Sequence, residues 1–396
     1  MKSPPIEVTG STRQPLGMPA ATFLRDYWQK RPLLVRQAFP GFQSPISPED
    51  LAGLACEESA LSRIVLHDRR RDRWELRTGP FDEAMFPDLP RQDWTLLVQD
   101  VDKWDMDIRD LLHAFRFLPA WRLDDIMVSF AAPGGSVGAH VDQYDVFLLQ
   151  AQGHRRWQID SRPGAPLDFR DDVELKLLSR FDADHDWVLG PGDMLYLPPG
   201  VPHHGVAEDA CLTFSVGMRA PSRAELMVDL AEELAASLPD EARYADPDLQ
   251  PPEDAWEIDE AAFSRLRAAL ADLQSLDETR LRTWFGRFIT QYRAGGEIAA
   301  PARPPSTAAV ASALDQGGML LRHPHSRVAW TRDGRKARLF ANGLVLPMGP
   351  ADARRLAAAE RVDAGALAAL GAAGREALHT LVAAGHYQLV KPRRRR

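Results

Sequence analysis

Gly134-Gly-Ser-Val-Gly-Ala-His140-Val-Asp142 and, further along the chain, Gly192-Asp-Met-Leu-Tyr-Leu-Pro198-Pro-Gly200-Val-Pro-His203 read as the two halves of one metal site. In an extended strand residues i and i+2 point to the same side, so His140 and Asp142 reach one ion while Val141 packs behind them. His203 supplies the third corner. Two imidazoles and a carboxylate with other coordination positions open are the ligand set of a non-heme Fe(II) oxygenase, which ranks iron above zinc or manganese. The glycines before His140 suit a chain that must bend and let backbone or ligand approach closely. Pro198, Gly200 and Pro202 shape a tight turn that aims His203 inward. A lone His-x-Asp is more often a surface pair or a core histidine, and the glycine-proline frame around this one is what argues for a metal.

Both halves resemble the cupin motifs Gly-x5-His-x-Asp and Gly-x5-Pro-x-Gly-x2-His, and the second register selects His203 over its neighbour His204. Arg155 bears on what fills the open positions. It lies in Asp145-Val-Phe-Leu-Leu-Gln-Ala-Gln-Gly153-His-Arg155-Arg156-Trp157-Gln-Ile159, which reads as strand, glycine-containing turn, strand. A guanidinium forks onto a carboxylate and stays charged even where partly buried, which suits anchoring the far carboxylate of 2-oxoglutarate. Alternation points only one of Arg155 and Arg156 inward, and the other is expected to be a solvated strand charge.

The segments Phe23 to Phe39, His140-Val-Asp-Gln-Tyr-Asp-Val-Phe-Leu-Leu-Gln150, Gly153-His-Arg-Arg-Trp157, Pro198-Pro-Gly-Val-Pro-His203 and Phe214-Ser-Val-Gly-Met-Arg-Ala-Pro221 resemble the bacterial ribosomal oxygenases, JmjC-type hydroxylases of ribosomal proteins. The resemblance runs the whole length, with its specific motifs before Pro221. It implies a double-stranded β-helix, Fe(II) held by His140, Asp142 and His203, and 2-oxoglutarate bound by Arg155. Eukaryotic relatives tend to carry lysine there, so the match is to the bacterial branch. Asp125 and Met127 share one strand face, opposite Ile126 and Val128, and Tyr144 follows the metal ligands. A carboxylate, a flexible apolar side chain and a phenol make a pocket for a guanidinium and its alkyl stem. The resemblance implies that such a pocket holds a substrate arginine, hydroxylated at its β-carbon in a large-subunit ribosomal protein. Relatives of other lineages hydroxylate histidine, and that alternative stays open. So do a cupin-type transcription regulator with a winged-helix DNA-binding domain, and a cupin isomerase or small-molecule dioxygenase.

At 396 residues, 45% hydrophobic, the chain is long enough for two or three domains. No charged-then-apolar leader opens it and no apolar stretch is long enough to span a bilayer, so a cytoplasmic enzyme without membrane contact is expected. Cys56 and Cys211 are too few for a disulfide framework and read as reduced thiols. The net charge of −8 is unevenly spread: residues 1–220 carry 24 basic and 33 acidic side chains, residues 221–300 carry 8 and 17, and residues 301–396 carry 16 and 6. An acidic body suits a basic protein substrate, with ordinary solubility as the alternative.

The expected architecture is α+β, with a JmjC/cupin catalytic domain over 1–220. Ser222 and Glu225 then form a capping-box signature, followed by Leu226, Leu230, Leu234 and Leu238 on one stripe. After an acidic loop, Asp240 to Asp254, Phe263, Leu266, Leu270 and Leu273 mark a second helix. Leu281, Trp284, Phe285, Phe288 and Tyr292 mark a third. These have more apolar face than they can bury among themselves, so 221–298 is read as a module that makes a homodimer, with packing on the catalytic domain as the alternative. A linker from Ala299 to Pro305 leads into 299–391. Here a helix from Ser306 to Leu314, strands around Val328 and Lys336, a turn at Asn342-Gly343 and two alanine-rich helices fit a winged helix. Its basic residues and the tail 392–396 offer phosphate contacts to nucleic acid; a structural module with a solvated tail is the competing view.

Overall fold

A computed structural model describes residues 5–249, 260–270, 277–291 and 298–390. Leu273, Tyr292, the end of the acidic loop and the basic tail lie outside the described residues. Contacts divide the chain into two compact units that meet in sequence at Ala220 and Pro221.

The first unit is a β-sandwich. Its strands are β1 (Glu7–Thr9), β2 (Leu33–Arg36), β3 (Ser62–Asp68), β4 (Arg73–Thr78), β5 (Trp94–Val98), β6 (Leu123–Ala131), β7 (Val146–Gln152), β8 (Arg155–Ile159), β9 (His185–Leu189), β10 (Met194–Leu197), β11 (His203–Ala207) and β12 (Cys211–Met218). A large sheet runs β1-β2-β10-β7-β12-β6-β5-β3-β4 and a small one β11-β8-β9. Period-two alternation makes the large sheet two-faced. On β6, Ile126 and Val128 are fully buried in the main hydrophobic core, with Phe23 and Leu51 from helices α1 (Ala20–Asp26) and α2 (Pro48–Leu54). Phe23 anchors that core. Its ring lies 4.9 Å from Tyr196 and 5.8 Å from Phe147, and truncating such a side chain typically costs about 3–5 kcal/mol. The other face of β6, with Asp125, Met127 and Ser129, turns instead to a cavity shared with the small sheet. That division frees one face for chemistry while the other carries stability.

In the second unit Ser222 caps the helix Arg223–Ala235: its Oγ accepts from Glu225 N at 3.0 Å, and Glu225 Oε2 accepts from Ser222 N. The helix stops before Leu238, which is 45% exposed rather than on the expected stripe. The residue before a proline, here Pro239, is disfavoured in the α region. Helices Glu260–Ala269 and Glu278–Thr290 follow. The last buries Trp284 and Phe288 against Leu226 and Leu230, and its other side lies on the three-stranded meander of Val328–Asp333, Lys336–Ala341 and Leu344–Met348. Gly286 permits that approach, since a Cβ there would sit 2.4 Å from the Phe340 ring. The turn at Asn342-Gly343 has both φ values positive, 43° and 87°, as a two-residue hairpin requires. Ser306 caps Thr307–Asp315, and three helices, not the two expected, follow the meander: Pro350–Ala358, Ala364–Ala368 and Ala372–Ala383. The short strand Arg361–Val362 and the N-caps at Asp363 and Gly371 divide what composition alone reads as continuous alanine-rich helix.

Candidate metal and cosubstrate site

His140 is not in a regular strand as the spacing suggested. It forms an isolated antiparallel bridge with His203, the two backbones exchanging N–H···O bonds of 3.0 Å. Asp142 is fixed next to it, its carbonyl accepting from Gly200 N at 2.8 Å. The turn glycine, at φ 82°, thus holds both halves of the site together. Gly138, at φ 81°, passes so close to Leu177 that a Cβ would meet Cδ2 at 2.6 Å.

The three side chains converge. Asp142 Oδ2 lies 4.0 Å from His140 Nε2 and 3.7 Å from His203 Nε2, and one ligand atom from each residue fits within 4.8 Å of the others. Each Nδ1–H donates to a backbone carbonyl, His140 to Gly138 and His203 to Val201, both at 2.9 Å. Those bonds fix the tautomer that leaves Nε2 unprotonated and turned to the shared point. Burial, with His140 alongside, holds the His203 imidazole well below its usual pKa and so keeps it neutral. Burial also raises Asp142, against the pull of His140 and a hydrogen bond from Tyr144. This donor set fits a divalent ion that keeps open positions. His204, one residue on, faces the other side of β11 and does not join.

Arg155 enters the same cavity from β8 and is 3% exposed. Its Nη2 donates to the Gly205 carbonyl at 3.1 Å, and the Cys211 thiol contacts the guanidinium, while Nε and Nη1 have no partner. Burial pulls its pKa down and no carboxylate is among the groups that oppose this. A buried cation lacking an acidic partner is costly, and an anion entering the cavity would relieve it. Arg156 points outward as alternation required, paired with Glu208 at 2.6 Å and Asp186 at 2.9 Å.

The cavity, about 430 Å³, also takes in Asp125, Met127 and Tyr144. Asp125 Oδ2 accepts from Asp100 N at 3.1 Å, and burial together with the charges of Asp100, Asp102 and Asp124 pushes its carboxyl up to about 7. Tyr144 is 40% exposed and donates to Asp142. The sequence reading missed Thr95, Trp157 and Gly205. Trp157 sits on the Arg155 face of β8, so alternation could have found it, and Gly205 is two residues past His203. Thr95 comes from a strand with no motif of its own.

A sandwich whose small sheet delivers a histidine and a buried arginine to a His-Asp-His cluster defines a JmjC-type cupin oxygenase. The chain matches the JmjC domain over residues 110–226 and the ROXA-like winged helix over residues 268–388. It is 38% identical over 324 residues to the ribosomal protein uL16 3-hydroxylase of Escherichia coli, covering 81% of this chain and 83% of that one. Ribosomal oxygenase 2 of Rattus norvegicus is 29% identical over 217 residues, 49% of this chain and 44% of that one. The structure of the E. coli ribosomal oxygenase YcfD with cobalt and 2-oxoglutarate is 34% identical, with a TM-score of 0.79 over 94% of this chain and 99% of that one. The chain belongs to the ribosomal oxygenases and is an Fe(II)- and 2-oxoglutarate-dependent oxygenase.

Proposed function

We propose that this enzyme hydroxylates the β-carbon of an arginine in a large-subunit ribosomal protein, with His140, Asp142 and His203 holding Fe(II) and Arg155 holding the distal carboxylate of 2-oxoglutarate. The observation that carries the reading is Arg155: a buried guanidinium with Nε and Nη1 unpartnered, in the same cavity as three converged metal-ligand atoms. Bound iron and 2-oxoglutarate together supply oxygen activation, with 2-oxoglutarate leaving as succinate and carbon dioxide. The protein's own residues bind, orient and exclude water. Tyr144 holds the Asp142 carboxylate from the open side. Asp125 offers a carboxylate to a substrate guanidinium, and Met127, next along the same face, packs its alkyl stem. The E. coli relative acts on uL16 as a 3-hydroxylase, which agrees with attack at the β-carbon. Asp125 also favours arginine over histidine as the target, because a neutral imidazole gains less from a buried carboxylate.

The test is succinate release from the iron-loaded enzyme coupled to a +16 Da mass change on an arginine of a uL16 peptide. Modification of histidine alone, or turnover without peptide modification, would refute the assignment. Among the described residues no helix is long and apolar enough to cross a membrane; a relative that acts on a ribosomal protein supports a cytoplasmic enzyme. A homodimer forms through helices Arg223–Ala235 and Glu260–Ala269, whose Met227, Val228, Phe263 and Leu266 stand 72%, 58%, 43% and 44% exposed. Light scattering giving the 44.1 kDa mass of one chain would remove the dimer.

A further inference from the structure

The catalytic cavity contains a buried donor that neither the triad nor Arg155 uses. Trp157 is 5% exposed, lines the cavity, and its indole Nε1 has no hydrogen-bond partner. It stands between the two parts of the site, with Arg155 Cζ 5.1 Å from the ring centroid and the His203 ring 5.9 Å away. Gly205 shows how the ring is turned. A Cβ there would lie 2.7 Å from Arg155 Nε and 2.7 Å from both Cη2 and Cζ3 of Trp157. The six-membered edge is therefore pressed to β11 beneath Arg155, and the N–H is carried on the other ring, away from that strand. Nη2 of Arg155 is tied to the Gly205 carbonyl, which leaves Nε and Nη1 and, on the ring beneath the guanidinium, the indole N–H as donors lacking an acceptor.

We propose that Trp157 is a second anchor for the cosubstrate, its Nε1–H donating to the distal carboxylate that Arg155 holds. One carboxylate has about four lone-pair sites on two oxygens and so accepts from both residues at once. A cation alone attracts any anion; a fixed N–H beside it favours a planar carboxylate placed at one distance from the metal. This rests on 2-oxoglutarate being the cosubstrate, and the experiment separates the two claims.

The full chain is loaded with zinc, which is diamagnetic, and labelled with ¹⁵N at its ten tryptophans. The Trp157 indole resonance is assigned by its loss in Trp157→Phe, a change that keeps an aromatic face under Arg155. Saturation with 2-oxoglutarate moves that resonance downfield, whereas 2-oxobutanoate, which has the same 2-oxo acid head and no distal carboxylate, does not. By calorimetry Trp157→Phe binds 2-oxoglutarate roughly tenfold more weakly, the loss expected for one bond to a charged group. An indole resonance that stays put while the wild-type protein binds 2-oxoglutarate overturns the second anchor and leaves the cosubstrate reading intact. A shift of equal size with 2-oxobutanoate also overturns it. No binding of 2-oxoglutarate to the wild type removes both.

Discussion

At its buried end the cavity presents donors without acceptors, Arg155 and Trp157; at its open end it gathers carboxylates, Asp124, Asp125 and Asp142, beside a half-exposed Tyr144. Arg63, which also lines the cavity, offsets part of that charge at Asp142. The difference matters because each end is uncomfortable when empty. Burial strips water from Arg155 without giving it an acid, and burial among neighbouring acids pushes the Asp125 carboxyl up to about 7. An anion at one end and a cation at the other would relieve both.

The comparison breaks most visibly at Arg155. Arg155→Ala should weaken 2-oxoglutarate binding by about thirtyfold to a few thousandfold, from about 2–5 kcal/mol for a desolvated charged contact. Calorimetry on the zinc-loaded variant reads this directly, and near-normal affinity would mean that the buried end is not the anion site.

A smaller effect is expected at the open end. Asp125→Asn should raise the KM for an arginine peptide roughly tenfold, the scale of one charge-assisted bond, and leave 2-oxoglutarate binding unchanged. The pH profile sharpens this. The guanidinium needs the ionised carboxylate, whose pKa in the free enzyme is about 7, so peptide affinity should rise from pH 6 to pH 8 and then level off. Stability runs the other way. A carboxyl whose folded pKa is raised contributes stability that is full below its unfolded pKa and lost as pH rises through about 7. A peptide KM that does not fall across that window, or falls equally in the Asn variant, would detach Asp125 from substrate binding.

The smallest effect is expected one residue from the largest. Arg156→Ala removes a surface guanidinium, 42% exposed and paired with equally exposed acids, and such pairs contribute about 0–1 kcal/mol. Its 2-oxoglutarate affinity should stay within about twofold of wild type. A loss comparable to that of Arg155→Ala would show that charge in general, rather than the inward side chain, is what the buried end supplies.

Much of this site could be read in the sequence because its chemistry is local in the chain. His140 and Asp142 are two residues apart, Pro198, Gly200 and Pro202 announce the turn before His203, and period two sorts Arg155 from Arg156. The sequence could not show that His140 sits in an isolated bridge, because the pairing depends on His203, far along the chain. Asp125 was singled out by its face, but its raised pKa comes first from burial and then from Asp100 and Asp102, brought close by the turn into the helix Val101–Trp104. Thr95 stayed invisible for the same reason: a lone hydroxyl acquires meaning only when β5 is laid beside β6. In the second unit the stripe of leucines located the helices, but helical period alone does not say that Trp284 and Phe288 turn to Leu226 and Leu230 while Met227 stays bare.

Gly205 leaves the small sheet one side chain short, directly beneath the guanidinium. The consequence is an obligation on heredity rather than on charge: a single methyl group at that position would occupy the seat Arg155 needs, without replacing a metal ligand or any ionisable group. In a saturation library selected for activity, position 205 should return glycine alone, while position 156, on the outer face of the neighbouring strand, accepts many residues.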